Sequence, residues 1–157
     1  MVEQQEASGD AVMTRIGQAV MLLHGGDREE ARNRFGALWT EIGERGEVLH
    51  RCTLAHYMAD TQDDPGDELA WDLRALAAAE SLRDAGEDGP GAAPAVRAFF
   101  PSLHLALAAD YLKLRRPETA RIHLDRARGA MDALGDDGYG HGVRAAVERL
   151  ETALRER

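Results

Sequence analysis

The chain has 157 residues, a formal net charge of −9, 44% hydrophobic residues and only 5% aromatic ones. This length suits one domain whose core is filled mainly by Ala and Leu, strong helix formers that let helices approach closely. The acidic balance excludes the basic face that nucleic acid or an anionic membrane surface requires. A single cysteine, Cys52, excludes an internal disulfide framework.

Residues 1 to about 8 are read as a flexible start. They are acidic where a secretory leader carries positive charge, and the apolar run Ala19 to Leu23 is too short for a leader or a membrane span, so a cytoplasmic protein is expected. From Asp10 to about His24, Val12, Ile16, Ala19, Val20 and Leu23 recur at helical spacing, and Gly25-Gly26 stops the helix. Asp27 is a predicted N-cap with Glu30 as its capping-box partner. Ala31, Phe35, Leu38, Trp39 and Ile42 form the next apolar face, which ends at Gly43 and Gly46.

A second pair begins near Glu47, with Val48, Leu49, Cys52, Ala55 and Ala59 on one face to about Thr61. Asp64 is a predicted N-cap and Pro65 a first helical residue, and Leu69, Leu73, Leu76, Ala77 and Leu82 carry the helix to about Ala85. The acidic stretch Asp60, Asp63, Asp64, Asp67, Glu68 and Asp72 lacks EF-hand spacing and reads as a solvated loop with helix-start carboxylates. Gly86 to Pro94 reads as a linker. The third pair spans about 94–134; its first helix starts near Pro94 or afresh at Pro101, and its second runs from about Pro117 to Leu134. Val143, Val147, Leu150 and Leu154 mark a last helix over about 140–156, preceded by a Gly-rich connector without the context of a phosphate loop.

The segment Pro101 to Leu134 resembles a tetratricopeptide repeat, with Leu107, Tyr111, Leu124 and Ala127 at the larger packing positions and Ala108 and Ala120 at the close crossing. Weaker matches run through Ala19, Leu22, Ala31, Phe35 and Leu38, and through Leu54, Ala55, Met58 and Ala70. The stretch HRCTLAHYMADTQDDPGDELAWDLRALAAAE is similar to small tetratricopeptide proteins of GC-rich bacteria, and the chain's heavy preference for Arg over Lys fits such a genome. The resemblance implies an all-α fold: a right-handed superhelical array of about three antiparallel helix pairs (10–45, 47–85, 94–134) with a capping helix, forming one domain over 9–157. It also implies binding of a protein or peptide segment on the concave face, and no reaction.

Cys52, His56 and Asp60 recur at i, i+4 and i+8 and would share a stripe facing that groove if α-helical register follows the family. With Arg51 at the rim and His104 on the neighbouring helix, they are the expected binding residues. Thiolate, imidazole and carboxylate are competent zinc ligands, but one straight helix cannot surround an ion, so neither a metal nor another cofactor is expected. Cys52 with His56 lacks an oxyanion donor, no serine lies in a nucleophile elbow, and no enzyme is expected. The rival readings are a small-molecule or metal-ion sensor using the Cys52/His56/Asp60 stripe, and a homodimer whose groove is filled by a partner copy.

Overall fold

In the computed structural model, residues 2–43, 46–85 and 92–156 are described, with side chains for 11–43, 46–81 and 97–156. Every regular element among them is helical: α1 (Val2–His24), α2 (Arg28–Ile42), α3 (Val48–Asp60), α4 (Pro65–Ala85), α5 (Ala92–Lys113), α6 (Pro117–Gly129) and α7 (Gly138–Arg155), with a 3₁₀ turn at Met131–Ala133. No helix among the described residues is long and apolar enough to cross a membrane.

Local chemistry sets the helix ends. Asp27 accepts from the Glu30 amide at 3.4 Å, Asp64 from the Asp67 amide at 3.0 Å and Asp137 from the Gly140 amide at 2.8 Å. Glu30 does not close the expected capping box: its carboxylate pairs with Arg34 at 3.1 Å. At the end of α1, the Asp27 amide donates to Leu22 and the Gly26 amide to Leu23, with Gly26 at φ +92°. The end of α5 repeats this pattern, Arg116 to Tyr111 and Arg115 to Leu112, but here a non-glycine, Arg115, holds the left-handed conformation at φ +62°. Gly140 is required for another reason: a Cβ there would run into the Gly135 carbonyl.

Several sequence expectations shift. α1 starts at Val2, ahead of the apolar repeat, and α5 starts at Ala92 and runs unbroken through the buried Pro101. Residues 86–91 of the expected linker lie outside the described residues. The helix expected to reach Leu134 ends at Gly129, where the chain tightens into the 3₁₀ turn. In α4, Leu73 and Ala70 are exposed, whereas Ala75, Leu76, Ala78 and Ala79 are buried with Asp72. Apolar residues surround this helix almost evenly, so periodicity cannot select its buried face. Close packing against α3 and α5 selects the alanine-rich side instead.

Three apolar clusters follow one another along the chain. Ile16, Ala19, Ala31, Phe35, Leu38, Leu54 and Met58 join α1, α2 and α3. Cys52, Ala55, Ala75, Ala79, Phe100, Leu103 and Leu107 join α3, α4 and α5. Ala108, Ala120, Leu124, Ala127, Val143, Val147 and Leu154 join α5, α6 and α7. Thus α3 and α5 each serve two clusters. Trp39 and Trp71 bridge the first two clusters edge to face, with ring centroids 5.1 Å apart.

Candidate functional site

An apolar trough of about 660 Å³ runs between α5 and α7. Leu105, Ala106 and Ala109 form one wall, and Val143, Ala146 and Leu150 the other. His56 of α3 lies at its floor, and Arg149 stands on its lip. The Tyr139 hydroxyl hydrogen-bonds Ser102 across the gap. Tyr139 thereby links the start of α7 to α5, so the Gly-rich connector serves to place this residue.

The expected binding residues are not brought together. Each i to i+4 step on a helix advances about 40° around the axis, so the stripe winds from core to solvent over its length. Cys52 is 2% exposed in the second apolar cluster, and burial pushes its thiol up to about 12. It faces the core and not the trough. His56 reaches the trough floor, Asp60 is exposed at the end of α3, and the Arg51 guanidinium donates to the Gly46 carbonyl at 3.0 Å. His104 lies on another side of α5. Its Nδ1 is 3.2 Å from His123 Nδ1, and it borders a separate hollow of about 510 Å³. The rings Phe100, His104, His123 and Tyr111 stack in series at centroid spacings of 6.2, 5.4 and 5.4 Å.

Beneath His56 lies a cluster that corrects the sequence reading, which took Glu68 and Asp72 for solvated carboxylates and passed over Asp110. Asp72 of α4 and Asp110 of α5 are 2% and 1% exposed, and Glu68 stands one turn before Asp72. Each of the three offers an oxygen within 4.8 Å of the other two. His56 Nδ1 is 3.6 Å from Asp72 Oδ1, and the Lys113 ammonium bonds Glu68 at 2.8 Å. Burial pushes the Asp72 carboxyl up to about 7, and burial with the hydrogen bond to Asp72 pushes Asp110 up to about 10. The two carboxyl groups therefore share a proton well above the usual carboxylate range. Burial also pushes the His56 imidazole down, leaving it neutral.

The available signal for this cluster was an aspartate inside an apolar helical run, LALAADYL, and another between Trp71 and Leu73. Such residues are costly to bury. In the acidic loop before α4, Asp63 is paired within the chain. Arg28 and Arg32 of α2 pair with Asp63, and Arg28 also donates to the Gln62 carbonyl.

Searches of protein-family models, of curated proteins and of solved structures gave no match to this chain.

Proposed function

We propose that this chain is a non-enzymatic binding module of tetratricopeptide-like architecture, a right-handed superhelical array of three helix pairs closed by α7. Its guest is a short peptide or single helix of a partner protein, laid in the trough between α5 and α7. The trough carries this reading: it is apolar, open along its length and walled by Ala106, Ala109, Ala146 and Ala153 with Gly142. Small side chains let a helical backbone come close, and an open trough leaves one face of the guest in water, as helix-in-groove recognition does. The serial sharing of α3 and α5 between apolar clusters supports the repeat architecture.

The experiment is selection from a library of helical peptides against the wild type, followed by binding to the Ala109→Glu and Ala146→Glu variants. Peptides held by the wild type and lost by both variants are the expected result; equal binding to all three proteins would sink the proposal. Light scattering of the free protein tests the homodimer reading, which requires a mass that rises with concentration.

A second reading, a small-molecule or metal-ion binding protein, is favoured by a different observation: the buried carboxylate cluster under His56. Its residues are Glu68, Asp72 and Asp110 and not the Cys52/His56/Asp60 stripe, from which only His56 takes part.

A further inference from the structure

We infer that Glu68, Asp72 and Asp110, with His56 beside them, form a binding site for one divalent cation of the hard, carboxylate-preferring class represented by Mn²⁺. This inference develops the second reading above and is independent of the peptide trough.

The first support is convergence. Oxygens from two helices lie within 4.8 Å of one another. Two ligands on one ion at bonds of about 2.1 Å stand roughly 3 Å apart in cis and 4.2 Å in trans. Small side-chain movements therefore close the set around a single ion.

The second support is burial without partners. Exposed acidic groups need no ion, because water solvates them. Here Asp72 and Asp110 are almost wholly buried, and Asp72 Oδ1, Asp110 Oδ2 and His56 Nδ1 have no hydrogen-bond partner. A buried polar atom left in that state calls for an explanation, and a bound ion is one. The 3.6 Å between His56 Nδ1 and Asp72 Oδ1 exceeds a hydrogen bond. It lies between the cis and trans separations of two ligands on one ion, so a small rotation of the His56 ring brings it to either.

Charge is the third. The groups facing the site are His56 and Asp60 from α3, Glu68 and Asp72 from α4, and Asp110 and Lys113 from α5. Against these carboxyl groups stands a single ammonium, the imidazole being neutral, so the set can accept a doubly charged ion. The donor set selects the class: three carboxylates and an imidazole, with Cys52 turned away, favour Mn²⁺ over thiophilic metals. The Glu68 side chain is 16% exposed, so the ion enters on that side and keeps water there. Once seated, it joins α3, α4 and α5 where the second helix pair meets the third.

The test is titration of the chelator-treated full chain with MnCl₂, followed by calorimetry and by the electron paramagnetic resonance of free Mn²⁺. One equivalent is expected, with the imidazole resonances of His56 broadened before those of His104. Asp72→Asn and Asp110→Asn keep the side-chain shape and are each expected to weaken uptake at least about tenfold. No saturable uptake by the wild type up to millimolar Mn²⁺ would overturn the inference, and that result does not depend on any variant folding. Uptake unchanged in both folded variants would overturn it equally.

Discussion

Helix α5 carries a buried polar cluster on each of two sides, and the two satisfy their groups in opposite ways. Toward α6, His104 and His123 join nitrogen to nitrogen at 3.2 Å within a ring stack ending at Tyr111. Their facing ring nitrogens meet each other's hydrogen-bonding requirement. Toward α3 and α4, Asp110 meets Asp72 and Glu68, and two carboxylate oxygens remain without a partner. The first cluster joins its members by a hydrogen bond and ring stacking; the second keeps buried oxygens that a proton or a cation would meet. Burial therefore leaves the ring pair matched to itself and the acidic cluster with polar atoms to match.

The largest expected effect is on stability against pH in the metal-free protein. Asp72 and Asp110 titrate near 7 and 10 in the fold and near 3.8 when unfolded. From about pH 4 upward the native state holds protons that the unfolded chain has lost, so this cluster makes stability fall as pH rises toward 10. Burial, followed by the nearby Arg126 charge, pushes His123 below its usual 6.5. Its contribution has the opposite sign, being present above 6.5 and lost as pH falls toward its lowered value. Thermal unfolding across pH should therefore show stability falling from about pH 4 toward pH 10, less steeply on an acid limb below pH 6.5, where His123 offsets part of the fall, than on the alkaline limb just above it. Asp110→Asn is expected to flatten the alkaline limb and stabilise the protein at pH 8–9 by about 1–4 kcal/mol, because Asn is neutral like the protonated acid and the fold no longer has to take up a proton that the unfolded chain has lost. An alkaline limb unchanged in this variant would remove the acidic cluster from the comparison.

Next in size is His123→Ala. It removes the nitrogen that meets His104 and the ring that stacks on Tyr111, so denaturant unfolding at pH 7 should record a loss of about 1–3 kcal/mol. The acid limb should steepen, because the partial offset from His123 is lost, while the alkaline limb stays. If instead the alkaline limb moves, the two sides of α5 are coupled and the comparison between independent clusters fails.

The two clusters were unequally hidden in the sequence, for physical reasons. Helix ends were legible because their signals are local: Gly25-Gly26, Asp27, Asp64-Pro65 and Pro117 act within a few residues of themselves. The buried faces of α2 and α7 were legible because their apolar residues keep to one side. Around α4 and α5 apolar residues occur on all sides, so nothing local shows that Asp72 turns inward while Leu73 turns out. The meeting of His104 with His123 depends on how α5 crosses α6, which spacing along one helix cannot supply. Of the expected stripe, only His56 reaches both the trough and the cluster, because Cys52 and Asp60 lie to either side as the helix winds.

The smallest expected effect separates the clusters from the helix that carries them. Both rely on the last turn of α5, whose carbonyls at Asp110 and Tyr111 accept from Leu114 and Arg116. That turn is closed by Arg115 at φ +62°, whereas the same hydrogen-bond pattern after α1 uses Gly26 at φ +92°. A side chain in the left-handed region costs about 1–2 kcal/mol, partly offset because Gly has more freedom to lose on folding. Arg115→Gly is therefore expected to raise stability by about 0.5–1 kcal/mol in urea unfolding. The Arg115 side chain is exposed and has no role in either cluster, so the gain should be the same at every pH. A pH-independent gain would mean that the two limbs belong to the buried side chains; a gain confined to one limb would mean that the turn itself sets the geometry of the cluster on that side.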